Sequence, residues 1–126
     1  MEKAHKKLKV WQEAMKLVGV VYQMTEQLPE NEKFGLISQM RRAAISIPSN
    51  IAEGAARQGS KEAVQFYTIG RGSLSELDTQ VELCRDLKLL SPSNISLLTS
   101  HLNTVDALLS GFIRYKKEKI KDEKQV

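Results

Sequence analysis

The chain has 126 residues and a formal net charge of +4, with 41% hydrophobic and 27% charged residues. This hydrophobic content is too high for a disordered chain, and the length suits one domain over residues 1–126. The single cysteine, Cys84, excludes an internal disulfide. Two histidines with one cysteine are too few for a Cys/His zinc site. We expect no metal and no cofactor.

Two apolar stripes define a first helix from about Leu8 to Leu28. One stripe is Val10, Ala14, Leu17, Val21, Met24 and Leu28, and the other is Trp11, Met15, Val18 and Tyr22. The two stripes are adjacent on a helix, so the apolar face is wider than one bundle core requires. We interpret the surplus as a surface for assembly. The apolar run at residues 17–22 is far shorter than the roughly 20 residues of a membrane span, which predicts a cytoplasmic protein without membrane contact.

A second helix is predicted from about Glu32 to Gln58, after a break at Pro29. Its apolar stripe is Phe34, Ile37, Met40, Ala44, Ile47, Ile51 and Ala55. Pro48 lies inside the stripe and cannot donate a hydrogen bond to the carbonyl of Ala44, so it either kinks the helix or divides it in two. The stripe stays in phase across the proline, which favours one helix with a kink at Pro48.

A third helix is predicted from Ser60 to about Leu90. Gly59 suits the end of the preceding helix, and Ser60 suits the N-cap of the next one. Gly70 lies on the apolar stripe of this helix, which indicates that a neighbouring helix approaches closely.

A fourth helix starts at Ser91 and Pro92, a typical N-cap and first helical residue, and ends in a lysine-rich tail beyond Tyr115. Four long helices joined by short loops pack most simply as antiparallel neighbours. The sequence therefore predicts an all-α fold, an up-down-up-down antiparallel four-helix bundle, with short basic tails at about residues 1–7 and 117–126.

Several motifs in the chain resemble one known family. They are LKVWQ at residues 8–12, the Leu-Pro and Phe-Gly-Leu pattern at 28–36, QMRRAA at 39–44, SIPSNIAEG at 46–54 and GSLSEL at 72–77. The chain resembles the four-helix bundle proteins associated with intervening sequences in bacterial 23S rRNA genes. It is also similar to the accessory variability determinant of diversity-generating retroelements, a basic pentamer that works with a reverse transcriptase and nucleic acid. The resemblance implies a ring-like homo-pentamer.

A polar stripe lies beside the apolar stripe of the second helix. It comprises Arg42, Ser46, Ser49, Glu53 and Arg57, and Arg41, Asn50, Arg71 and Glu76 add polar groups on the second and third helices. The arginines could bind phosphate, or they could pair with carboxylates that fix helix packing or a subunit interface. We favour the interface, because carboxylates in the same stripes would compete with phosphate. The expected pairs are Arg41 or Arg42 with Glu76, and Glu53 with Arg71.

Positive charge is concentrated towards both ends of the chain. Residues 1–9 and 114–126 each carry a net charge of +3, which leaves −2 for the rest. Both ends of such a bundle lie together, and five parallel copies would place on the order of +30 charges on one rim. The candidate phosphate-binding residues are Lys3, Lys6, Lys7, Lys9, Arg114, Lys116, Lys117 and Lys119. The alternative is that these lysines only maintain solubility. Tyr115 is the one aromatic residue in the tails, so the pattern gives no support for base stacking.

Patterns that indicate catalysis are scarce. Glu2 and His5 form the one Glu-x-x-His spacing, and they lie in the tail, while Cys84 lies on an apolar stripe and is expected to be buried. We therefore predict a non-enzymatic homo-oligomer that serves as a nucleic-acid or ribonucleoprotein accessory, with RNA, DNA or a nucleic-acid-processing protein as partner. An oligomeric protein-interaction scaffold without nucleic-acid contact is the alternative, and an enzyme with a site between subunits is a third hypothesis.

Overall fold

A computed structural model describes residues 3–124 of the chain. Its helices are α1 (Lys9–Thr25), α2 (Ser38–Ala55), α3 (Ser60–Asp86) and α4 (Pro92–Lys124). A 3₁₀ turn, Ala4–Lys7, precedes α1. Each helix packs against the next along the chain, and α4 returns to pack against α1. The predicted all-α four-helix bundle is therefore confirmed.

The core is formed by the first apolar stripe of α1 and the matching stripes of the other helices. Ala14, Leu17 and Val21 of α1 are fully buried, as the stripe predicts. Burial of apolar surface contributes about 25 cal/mol per Å² and is the main force holding the helices together. The fully buried partners are Met40, Ala44, Ile47 and Ile51 of α2, Leu77 and Val81 of α3, and Leu98, Val105 and Leu109 of α4.

Pro48 lies inside α2, which runs from Ser38 to Ala55 as one helix. The interpretation of one helix rather than two is therefore confirmed. The close approach predicted at Gly70 is also present, because a Cβ atom there would lie 3.6 Å from the carbonyl oxygen of Ile47 on α2. Such a separation is van der Waals contact between the two helices.

The start of α2 differs from the prediction. Residues 30–32 form a 3₁₀ turn and Lys33–Ile37 form a π-helical turn, in which Gly35 has non-helical dihedral angles (φ −106°, ψ −111°). The Glu32 carboxylate accepts a hydrogen bond from the backbone nitrogen of Leu36, at 3.2 Å. A π turn holds more residues than an α turn and so shifts the phase of the apolar stripe. Phe34, predicted as part of the core stripe, is 89% exposed for this reason.

The end of α3 lies four residues before the predicted Leu90, at Asp86. Lys88 follows in the left-handed region with φ 56°, and the backbone nitrogen of Leu89 donates to the carbonyl of Cys84 at 2.9 Å. This pattern is typical of a Schellman helix end, which glycine usually provides. Because lysine is not a residue that commonly ends a helix in this way, the sequence does not indicate that α3 ends here.

The C-terminal segment predicted as a tail is helical, because α4 continues to Lys124. The N-terminal tail likewise contains the 3₁₀ turn Ala4–Lys7. Glu2, which has the Glu-x-x-His spacing to His5 and contributes to the terminal charge, lies outside the described residues.

Candidate functional site

The two ends of the chain meet at one end of the bundle. Ala4 and Leu8, which precede α1, line the same cavity as Ser60 of α3 and Lys116 of α4. The Ser60 hydroxyl also donates a hydrogen bond to the Glu123 carboxylate, at 2.9 Å. Antiparallel packing thus brings the candidate phosphate-binding residues together. We call this surface the basic end, and its residues are Lys3, Lys6, Lys7, Lys9, Arg114, Lys116, Lys117 and Lys119.

Most cations of the basic end have no carboxylate partner among residues 3–124. Lys9 is the exception: its Nζ lies 2.9 Å from Oε1 of Glu13, and this hydrogen bond lowers the pKa of the Glu13 carboxyl. The other residues of the basic end form no ion pair within the described chain. Lys61, in the first turn of α3, adds an exposed lysine that the terminal charge count missed. The predicted topology could have found it, because α3 begins where both termini lie.

A cavity of about 190 Å³ lies at the basic end. Tyr67, which is 1% exposed, and Phe112 form its aromatic wall with ring centroids 5.0 Å apart. Arg57 and Lys116 contribute cationic groups to the lining. Burial raises the pKa of the Tyr67 hydroxyl above its ordinary value. The volume is below the about 300 Å³ typical of sites for organic ligands.

Arg41 joins α2 to α1, and it does not form the predicted pair with Glu76. Its Nε donates to Oγ1 of Thr25 at 2.9 Å, and its guanidinium lies over the Tyr22 ring, 4.3 Å from the centroid. Thr25 is fully buried, and its hydroxyl donates to the carbonyl of Val21 at 2.8 Å. Arg41 therefore contributes to helix packing within one chain.

Removing the Thr25 hydroxyl tests this arrangement. We expect Thr25→Val to lower the free energy of unfolding by about 1–2 kcal/mol, because valine keeps the shape but leaves the Arg41 Nε without its acceptor. Glu76→Gln is the matched control, since Glu76 is exposed and accepts a long hydrogen bond from Gln80, at 3.4 Å. Its effect should stay below about 0.5 kcal/mol. Urea unfolding followed by circular dichroism measures both, and equal losses would contradict the assignment.

A groove between α2 and α3 is held by neutral hydrogen bonds. The hydroxyls of Ser46 and Ser73 are 2.8 Å apart, and Nδ2 of Asn50 donates to both the carbonyl and the hydroxyl of Ser46, at 2.8 and 3.0 Å. Arg42 and Glu76 line the same groove, but this predicted pair forms no ion pair in the described chain. The hydrogen bond between the Ser46 and Ser73 hydroxyls, not an ion pair, thus connects the two helices here, and Asn50 supports it from within α2.

The predicted pair of Glu53 with Arg71 does not form within the described chain either. Glu53 pairs with Arg57 one turn later on α2, at 2.9 Å, as side chains four residues apart on a helix commonly do. The Arg57 guanidinium also lies over the Phe66 ring, 4.5 Å from the centroid. Arg71 is half-buried on α3, and Ser49 is exposed on α2. The polar stripe is therefore divided among several places and does not converge on one site.

The second apolar stripe of α1 is divided between the core and the surface, because Trp11 and Val18 are half-buried and pack against the core while Met15 and Tyr22 are exposed. Met15 is 46% exposed and Tyr22 is 37% exposed. Ile45 of α2, 44% exposed, lies one helical turn after Arg41, whose guanidinium covers Tyr22. These side chains form a surface along α1 and α2 that we call the apolar strip. Its exposed residues are Met15, Tyr22 and Ile45, with the half-buried Trp11 and Val18 beside them on α1.

Cys84 is fully buried, as predicted, and burial together with the Glu32 carboxylate raises the pKa of its thiol. Its Sγ lies 3.8 Å from Sδ of Met40. Within residues 3–124, no three His, Cys, Asp or Glu side chains are close enough together to hold a metal ion. No helix in this described part is long and apolar enough to cross a membrane.

A family model described as 23S rRNA-intervening sequence protein matches residues 6–111. The match covers most of the bundle and ends just before Phe112. No curated protein matches the chain.

Proposed function

The chain belongs to the 23S rRNA-intervening sequence protein family, and from this premise we propose that it is a non-enzymatic homo-oligomer that binds the phosphate backbone of nucleic acid through its basic end. It acts in the cytoplasm as an accessory to RNA or DNA, or to a protein that processes them. The proposal separates two tasks, assembly and phosphate binding, and assigns them to different surfaces of the bundle.

One observation carries the proposal: cations from both ends of the chain meet at one end of the bundle, mostly without carboxylate partners. Lys6 and Lys7 lie in the 3₁₀ turn, and Arg114, Lys117 and Lys119 lie in the last turns of α4, all of them exposed. Unpaired surface cations neutralise phosphates and release the counterions condensed on nucleic acid. Binding of this kind depends strongly on salt and carries little sequence preference.

Assembly multiplies the effect of one basic end. The apolar strip exposes Met15, Tyr22 and Ile45, and surfaces that contact another protein commonly carry exposed apolar side chains of this size. We propose that copies of the chain associate through this strip into a ring, with five copies as the family resemblance implies. Parallel copies bring several basic ends to one rim, where their fields add.

The proposal is tested with two variants that each lose three lysine charges, one variant at the basic end and the other elsewhere on the bundle. We expect Lys6→Gln, Lys7→Gln and Lys117→Gln together to weaken binding to duplex RNA and DNA about tenfold at low salt. The slope of log affinity against log salt concentration should fall by about 2–3, since each lost phosphate contact contributes about 0.9. The matched control, Lys16→Gln, Lys33→Gln and Lys88→Gln, changes net charge equally at exposed lysines elsewhere and should change affinity less than twofold.

Fluorescence anisotropy of labelled duplexes, with salt varied from about 50 to 200 mM, measures both variants. Equal losses in the two variants would mean that only net charge matters and that the basic end is not the site. If the unmodified protein shows no binding at low salt, the oligomeric protein-interaction scaffold is the better hypothesis. The exposed apolar strip supports that second candidate, because protein partners also bind such surfaces.

A further inference from the structure

Tyr115 is an exposed aromatic residue within the basic end. Its side chain is 53% exposed on α4, and its ring lies 6.5 Å from the Phe112 ring with an angle of 23° between their planes. Phe112 continues the aromatic surface to the buried Tyr67. Phe112 precedes the tail, so Tyr115 is the one aromatic residue within the tail segment, but one helical turn places the two rings side by side. The family match ends at residue 111, so it does not describe this feature.

The ammonium groups of two lysines lie over the exposed ring. Nζ of Lys119 lies 5.3 Å from the Tyr115 ring centroid, and Nζ of Lys116 lies 5.8 Å from it and 5.6 Å from the Phe112 centroid. Neither lysine has an ion pair within residues 3–124. An aromatic face beside uncompensated cations matches a nucleotide, which joins a flat base to phosphates.

From this geometry we propose that Tyr115 is a stacking site for an unpaired nucleotide base, with Lys116 and Lys119 binding the phosphates that flank the base. The inference rests on the proposed function and makes it more specific. A surface that binds only phosphates should have similar affinity for duplex and single-stranded nucleic acid, apart from the effect of their different charge densities. A stacking site favours single-stranded nucleic acid, because the bases of a duplex are already stacked on one another.

Two other aromatic rings of the bundle carry an arginine at shorter distance than the lysines over Tyr115. The Tyr22 ring is covered by Arg41 and the Phe66 ring by Arg57, with guanidinium carbons 4.3 and 4.5 Å from the respective centroids. Phe34 is the useful comparison, because it is 89% exposed and has Lys33 Nζ 5.8 Å from its centroid, yet it precedes α2 at the opposite end of the bundle. Phe34 thus provides similar chemistry away from the basic end.

The test compares Tyr115→Leu with Phe34→Leu on single-stranded oligouridylate, oligothymidylate and a duplex of the same length. We expect Tyr115→Leu to weaken single-strand binding about tenfold and duplex binding less than twofold, because one base–aromatic stack is lost. The loss should stay constant as salt is raised, unlike the loss caused by removing lysines. Tyr115→Phe keeps the ring and should restore single-strand affinity, and Phe34→Leu should match the unmodified protein.

The outcomes separate this inference from the proposed function. An equal effect of Tyr115→Leu on single strand and duplex, or no effect on either, overturns base stacking while phosphate binding by the unmodified protein stands. Absence of binding by the unmodified protein to every oligonucleotide overturns both. A preference for oligouridylate over oligothymidylate, or the reverse, with the Tyr115 effect present, supports the stacking site and identifies the favoured nucleic acid.

Discussion

We expect a Gly54→Ala variant to lose about 1–3 kcal/mol of unfolding free energy, the usual cost of adding a methyl group to a filled core. A Cβ atom at this position would lie 2.8 Å from Cδ1 of Tyr67, closer still to Cε1, and 3.0 Å from the carbonyl oxygen of Ala63. The Tyr67 ring is buried against Phe112, so it cannot easily turn away. The Ala63 carbonyl belongs to the backbone of α3, and relief there requires α2 and α3 to move apart.

Gly72→Ala is the matched control for this prediction. A Cβ atom on Gly72 meets nothing within 4 Å, and the residue is exposed inside α3. Alanine is the better helix former there by about 0.5–1 kcal/mol, so this variant should be more stable than the unmodified protein. Thermal and urea unfolding of both variants measure the difference. Equal responses at the two glycines would show that α2 and α3 are not in contact at Gly54.

The regular part of the fold can be predicted because burial imposes a helical period on the sequence. Leu17 and Val21 are buried, while Met15 and Tyr22 on the adjacent stripe are substantially exposed. Both stripes are visible in the sequence, but periodicity alone does not say which one faces the core. That choice depends on where the other helices pack, and the first stripe is selected because it matches their apolar faces.

The irregular turns could not be predicted, because the local signals are weak: Gly35, which has non-helical dihedral angles inside the π turn, is a residue that helices also tolerate. The π turn at Lys33–Ile37 inserts an extra residue in the first part of the apolar pattern, and Phe34 leaves the core side as a result. The end of α3 uses Lys88 in a left-handed conformation that glycine would normally adopt. In both places the backbone departs from the ideal helix while the side-chain pattern continues without a visible break.

Side-chain partners were harder to predict than helix positions. An arginine reaches across a full helical turn, so several acceptors compete within its range. Arg41 binds the hydroxyl of Thr25, a partner that a search for opposite charges does not consider. Glu53 pairs with Arg57 on its own helix, where the spacing already favours the contact. By contrast, the meeting of the two chain ends follows from topology alone, so the basic end could be inferred from the sequence.

We expect Ile45→Glu to convert an assembled protein into a monomer at micromolar concentration. Ile45 lies in the apolar strip and is 44% exposed in the single chain, so a glutamate there can reach water without disturbing the bundle. In an assembly that buries the strip, the same carboxylate would lose its hydration without gaining a partner. The penalty is repeated at every subunit contact, which makes the expected effect large.

Leu97→Glu is the matched control, because Leu97 is also 44% exposed but lies on α4, away from the strip. Analytical ultracentrifugation of both variants at equal concentration measures the state of assembly, and circular dichroism checks that each remains folded. Ile45→Glu should sediment as a single chain and Leu97→Glu as the unmodified assembly. A monomeric unmodified protein, or dissociation by Leu97→Glu alone, would contradict assembly through the strip.

The same pair of variants connects assembly to nucleic-acid binding. Neither substitution touches the basic end, and both add one negative charge, so any difference in affinity between them reports on assembly. Copies held together present several basic ends to one strand, and the later contacts form at high effective concentration. We therefore expect Ile45→Glu to weaken binding to long oligonucleotides much more than to short ones that engage a single basic end, whereas Leu97→Glu should affect both equally. If the two lengths respond alike in Ile45→Glu, each chain binds independently and the strip does not contribute to binding.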